Sequence, residues 1–168
     1  MIDEVFKAIQ TGTNSTLQQL IETDANLANM ESKDGLTPLG FAAHYGNLEA
    51  VQILIDHNAD VNAVSHSKLS FIPSNTALHA SLAGARNIDV IRLLLAHHAR
   101  TNICDSNGHT CLHTAAFHDD NLDIIRLLID HGADVNSKAE GGDTALQLAI
   151  QQGNPKVAEL LQQLGANM

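Results

Sequence analysis

One unit of about 34 residues is written into this chain four times, and no other feature limits its fold as tightly. The copies are anchored on Thr37, Thr76, Thr110 and Thr144, at offsets of 39, 34 and 34 residues. A period in this range belongs to architectures whose units cannot bury an apolar face alone and stack to do so. The copies open Thr37-Pro38-Leu39-Gly40-Phe41-Ala42-Ala43, Thr76-Ala77-Leu78-His79-Ala80-Ser81-Leu82, Thr110-Cys111-Leu112-His113-Thr114-Ala115-Ala116 and Thr144-Ala145-Leu146-Gln147-Leu148-Ala149-Ile150. Asn47, Asn87, Asn121 and Asn154 follow ten or eleven residues later, each ahead of an apolar run.

Each recurring residue has a mechanical reading. Thr and Asn side-chain oxygens accept the orphan amides at helix N-termini, and Pro38 and Pro155 stand at first helical positions, where a missing N–H costs nothing. Every unit therefore reads as two short helices. The second ones, Val51–Ile55, Val90–Leu95, Ile124–Ile129 and Val157–Leu164, carry apolar faces too broad for exposed helices and need neighbours on both sides. Gly132, Gly165 and Asn58 suit the left-handed position that closes a helix, whereas His98 at the same place predicts a cost of about 1 kcal/mol. Gly35, Gly108 and Gly142 fall two residues before their Thr, where a turn needs them; Ser74 takes that place in the third unit.

The pattern Asp-x-x-Gly-x-Thr-Pro-Leu-His-x-Ala-Ala, followed by Gly-Ala-Asp-Val-Asn, resembles the ankyrin repeat along the whole chain. Departures are modest: Gly40 and Gln147 replace the His, Ala77, Cys111 and Ala145 replace the Pro, and Asp119-Asp120 lengthens one interhelical turn. The resemblance implies an all-α solenoid of stacked helix-turn-helix units joined by projecting β-hairpin loops. It implies one domain over 1–168, with repeats near 1–33, 34–66, 67–104, 105–138 and 139–168. Residues 1–33 lack the signature, yet Val5, Phe6 and Ile9, then Leu17, Leu20 and Ile21, repeat the two-helix spacing, with Asn29 as the hairpin Asn. Asp3, Glu4, Lys7 and Gln10 at one end, and Lys156, Glu159, Gln162 and Gln163 at the other, are expected to let the terminal repeats meet water.

Composition narrows the function. Of the residues, 44% are apolar and only 3% aromatic, which suits thin layers of helices. The formal charge of −10 lacks any basic cluster and argues against nucleic acid and anionic membrane as partners. Met1-Ile2-Asp3-Glu4-Val5-Phe6-Lys7 is unlike a secretory start, and two cysteines make no disulfide framework, so a cytoplasmic chain with reduced, structural thiols is expected. The chain contains no nucleophile elbow, Walker loop, dinucleotide glycine pattern or paired carboxylates in an apolar setting, and no enzyme is expected.

The ten histidines have structural readings. His79 and His113 tie hairpins to helices, and His57, His97 and His131 meet the carbonyls that end second helices. Cys104, His109, Cys111 and His113 have poor spacing for zinc, and Cys111, in the Pro position, is expected to face the interior; no metal and no cofactor is expected. Asp119, Asp120 and Asp123 read as acids favoured by a helix N-terminus. The resemblance also raises hydroxylation of the hairpin Asn62 and Asn136, against which stands a bracing hydrogen bond.

With the framework subtracted, the resemblance leaves the hairpin tips and first-helix ends for a protein partner, on the family's concave surface. The residues expected there are Lys33, Leu36, His44, Tyr45, Leu69, Phe71, Ile72, Asn75, His109, Phe117, His118, Asp143 and Gln151, with Tyr45 and Phe117 as aromatic anchors. Leu69, Phe71 and Ile72 lie in a finger, near 64–75, that the longer offset inserts; it either folds back or clasps a partner. A second reading is an inhibitor or immunity-type regulator whose acidic surface meets a basic enzyme. The monomer is expected in isolation.

Overall fold

A computed structural model describes residues 1–168 and contains ten α-helices, with helical pairs in the expected order. The helices are α1 (Ile2–Thr11), α2 (Asn14–Thr23), α3 (Pro38–Tyr45), α4 (Leu48–Asp56), α5 (Ala77–Ala83), α6 (Ile88–Ala96), α7 (Cys111–His118), α8 (Leu122–Asp130), α9 (Ala145–Gln152) and α10 (Pro155–Gln163). The chain separates into two compact units, Met1–Ala99 and Arg100–Met168.

In the first unit, α3 packs between α1 and α5, and α4 between α2 and α6. Val5, Ile9, Leu17 and Ile21 bury the opening pair, and a short 3-10 helix, Ala25–Ala28, adds Leu27 to the same core. That 3-10 turn was not expected from the sequence; Asp24 starts it by accepting the Asn26 amide. In the second unit α7 packs on α9 and α8 on α10 around Leu112, Ile125, Leu128, Leu146 and Leu161.

The caps form as the residue types require except at α10, where Asn154 makes no side-chain cap bond. Thr37 and Thr144 accept the amides of Gly40 and Gln147 at 3.0 and 3.3 Å, and Asn47 and Asn121 accept those of Ala50 and Ile124 at 3.0 and 3.2 Å. Asn58 and His98 adopt φ of 63° and 67°, beside Gly132 at 89° and Gly165 at 92°. First helices end in two ways. Gly12, Gly46 and Gly153 close α1, α3 and α9 in the left-handed region, whereas α5 and α7 end on Gly84 and Asp119 without that conformation. The extra residue before Asn87 and Asn121 occupies these two longer exits.

Asparagine amides join each repeat to the next within a unit. Nδ2 of Asn47, Asn87 and Asn154 donates to the carbonyls of Ile9, Gly46 and Ala116, which lie at the end of the preceding first helix. On the hairpin side, Asn29, Asn62 and Asn136 donate to the carbonyls of Asn58, His98 and Gly165. Asn29 and Asn136 also accept the amides of Asp60 and Asn167 at 2.7 and 2.8 Å. The bracing read for Asn62 and Asn136 is thus present, and it reaches across a repeat boundary.

Asp120 requires a correction. Its place beside Asn121 predicts an N-terminal acid for its own second helix, but its carboxylate accepts the Val157 amide at 2.8 Å and so caps α10 in the following repeat. Asp119 accepts the Asp120 amide. Both cysteines are free and Cys111 is buried, as expected, whereas Cys104 is exposed and therefore no packing residue.

Candidate functional site

The hairpin turns follow one construction. In the first, the Ser32 and Gly35 amides bond Leu36 and Ser32 carbonyls; in the later ones Asp105 bonds His109, Gly108 bonds Asp105, Ala139 bonds Asp143 and Gly142 bonds Ala139. Only the last becomes a β-bridge, between Lys138 and Thr144. Gly35 takes φ of 77°, and a side chain there would be driven into the His66 carbonyl.

In the first unit, the inserted finger lies against the Ser32–Leu36 turn. His66 and Lys68 amides donate to the carbonyls of Gly35 and Asp34, Lys68 Nζ donates to Lys33 O at 2.9 Å, and His66 meets Glu31 Oε1 at 2.7 Å. Ser65 and Asn75 close its base through main-chain and hydroxyl contacts. The two readings of this finger divide by residue. Leu69 and Ile72 are half-buried, while Phe71 stands 79% exposed. Lys33 is exposed and Leu36 half-buried.

Tyr45 is 44% exposed, yet packing accounts for part of its position. Its ring lies 4.9 Å from Phe41, Phe41 lies 5.0 Å from Phe6, and Gln10 donates to the Tyr45 hydroxyl at 3.3 Å. Three of the chain's five aromatics therefore form a row across the first two repeats, a continuity that the spacing of Phe6 and Phe41 carries only once the helices are stacked. His44 adjoins Tyr45, and its carbonyl accepts the Ala85 amide at 2.9 Å, so it also links two repeats.

In the second unit, Phe117 is 44% exposed and lies 5.0 Å from the His118 ring at the end of α7. His109 stands 3.8 Å from Asp105 and 5.8 Å from the His113 ring. Asp143 contributes its carbonyl, which takes both the Ala139 amide and the His113 Nε2 contact at 3.0 Å, and Gln151 is exposed. Burial pushes the Cys111 thiol up to about 12, and its Sγ donates to Thr101 O, so it is no nucleophile near neutrality. No group of three or more His, Cys, Asp or Glu is arranged to hold a metal.

Three overlapping matches to the pattern described as ankyrin repeats span residues 5–103, 59–139 and 78–168. The chain belongs to the ankyrin-repeat family. Among similar proteins, the ankyrin repeat and SAM domain-containing protein 6 of Rattus norvegicus is 32% identical over 108 residues, 64% of this chain and 11% of that protein. A putative ankyrin repeat protein of fowlpox virus is 31% identical over 109 residues, 65% of this chain and 27% of its own length. A serine/threonine-protein kinase of Arabidopsis thaliana is 35% identical over 83 residues, 49% of this chain and 17% of the kinase. The chain thus spans about a tenth to a quarter of these relatives. What it shares with them is the ankyrin repeat, a protein–protein interaction module in a family that is generally non-enzymatic. No helix is long and apolar enough to cross a membrane.

Proposed function

We propose that the chain is a non-enzymatic binding module, one ankyrin-repeat domain acting as a cytoplasmic monomer, that holds a partner protein through its hairpin tips and first-helix ends. The observation carrying this reading is the exposure of three large aromatic rings, Tyr45, Phe71 and Phe117, at positions the framework leaves open. Framework polar groups are otherwise spent on caps and inter-repeat bonds, which leaves a rigid support whose ordering cost on association is small. The aromatic row around Tyr45 and the Phe71 finger supply apolar anchors in the first unit, and Phe117 with His109 and His118 supplies the equivalent in the second. The formal charge of −10 favours a basic target and keeps the inhibitor reading alive as the alternative.

Affinity capture with the full chain, read by mass spectrometry, separates the two: a single dominant enzyme supports an inhibitor, several partners a scaffold. Tyr45→Ala, Phe71→Ala and Phe117→Ala are each expected to retain helical circular dichroism and to lose about 1–3 kcal/mol of affinity for the captured partner. Wild-type affinity in all three, with loss on a second-helix change such as Gln52→Ala, overturns the surface assignment.

A further inference from the structure

The Asp105–Thr110 turn, which carries His109, is fastened to α7 through one buried ring. Thr110 N–H donates to His113 Nδ1 at 3.2 Å, the Thr110 hydroxyl meets the same nitrogen at 2.8 Å, and Nε2 lies 3.0 Å from the Asp143 carbonyl. One neutral form satisfies all three contacts: Nδ1 bare to accept the amide, and the proton on Nε2, donating to the carbonyl. A hydroxyl can rotate to face an added proton on Nδ1, but a main-chain amide cannot. The last repeat builds the same cap without a titratable group, since Gln147 Oε1 accepts the Thr144 amide at 2.8 Å.

We propose that His113 is a proton-operated release for the 105–110 finger. A proton on Nδ1 turns the acceptor of the Thr110 amide into a donor, the cap of α7 is withdrawn, and the turn carrying His109 loosens. Weaker hold on a partner in mild acid follows, and this last consequence rests on the binding-surface reading above; the loosening itself does not.

The charges acting on the ring come from its neighbours. Asp105 favours the proton and His109 opposes it, both from the 105–110 turn. The 137–144 turn offers the carbonyls of Asp143 and Ser137, while Lys138, Glu140 and Asp143 carry its side-chain charge. On α8, packed against α7, Asp123, Arg126 and Asp130 are exposed, and α9 opens with Ala145, Leu146 and Gln147, which do not titrate. Burial is the dominant influence and holds the imidazole below its ordinary 6.5. The unfolded or opened segment therefore takes the proton first: the contribution is complete above 6.5 and is lost as pH falls toward the lower folded value.

The test is nuclear magnetic resonance of the full chain from pH 7.5 to 5.0, following the His113 ring nitrogens together with exchange protection of the Thr110 amide. Protection, corrected for intrinsic exchange, is expected to fall about tenfold per pH unit below 6.5 until the folded ring protonates. His113→Gln, copying Gln147, should abolish that fall, and His109→Gln should keep it. Unchanged Thr110 protection down to pH 5.0, or an equal fall in His113→Gln, overturns the proposal. If that variant does not fold, the wild-type ring titration decides: a ring that protonates without loss of the Thr110 contact refutes the release. Loosening without weaker binding of the purified captured partner at pH 5.5 removes this finger from the binding surface and leaves the release standing.

Discussion

Gly35 and Gly142 hold the same place in two hairpins and take nearly the same backbone, φ of 77° and 88°, but they are required for different reasons. Beyond Gly35 lies the next hairpin, with the His66 carbonyl where a Cβ would go; beyond Gly142 there is open space. Gly108 repeats the crowded case, its missing side chain being replaced by Glu140 of the following turn, whose amide nitrogen is 2.8 Å from the vacant Cβ position. A left-handed turn demands glycine through its own steric limits, and a stacked neighbour demands it again through contact. The two requirements are separable here because one chain contains both.

The largest effect should come from Gly35→Ala, which meets both requirements at once: a loss of about 3 kcal/mol, read from denaturant midpoints at constant slope. Gly142→Ala faces only the backbone requirement and should lose about 1 kcal/mol. Equal losses at the two sites would mean that the hairpins part easily and that the contact with His66 contributes nothing. His98→Gly runs the backbone requirement in reverse. With φ of 67° on a branched ring side chain, relief should raise stability by about 1 kcal/mol, while the bond from Asn62 to the His98 carbonyl is kept. An unmoved midpoint would show that histidine tolerates this conformation in the stack. The smallest change isolates burial from conformation. Ser81 Oγ is buried with no hydrogen-bond partner, where the other repeats place Ala42, Ala115 and Ala149. Ser81→Ala should therefore stabilise by about 0.5–1 kcal/mol, and a loss instead would show that the hydroxyl has a use in solution.

What the sequence disclosed followed from locality. Thr37, the cap oxygen of Asn47, Pro38 and Gly132 act on their own turn of chain, so residue type and spacing were enough to place every helix pair, including the degenerate first one. The longer-range features were not legible on those terms. Asp120 has the chemistry of an N-terminal acid, and nothing local says that the helix it serves lies 37 residues ahead. Phe6 reads as core of its own repeat, and only stacking turns it toward Phe41. In the finger, Leu69, Phe71 and Ile72 have one apolar character but different fates, because exposure depends on how the loop folds over Ser32–Leu36. The candidate surface was legible as a set of free positions, while the row that joins Tyr45 to its neighbours was not.

Each of the cap asparagines Asn47, Asn87 and Asn154 reaches a main-chain carbonyl, that of Ile9, Gly46 or Ala116, and only Asn47 adds a side-chain partner, Asn14 Oδ1 at 2.9 Å. A carbonyl is offered by every residue type, so this shared part of the joint makes no demand on the identity of the residue it grips. It also holds across both exits from a first helix, the short one at Gly46 and the longer one that precedes Asn87. Neighbouring repeats therefore need not change sequence in concert at these joints. A unit copied or moved to a new place in such an array would find its fastening already there, which leaves mutation free to rewrite the exposed side chains one repeat at a time.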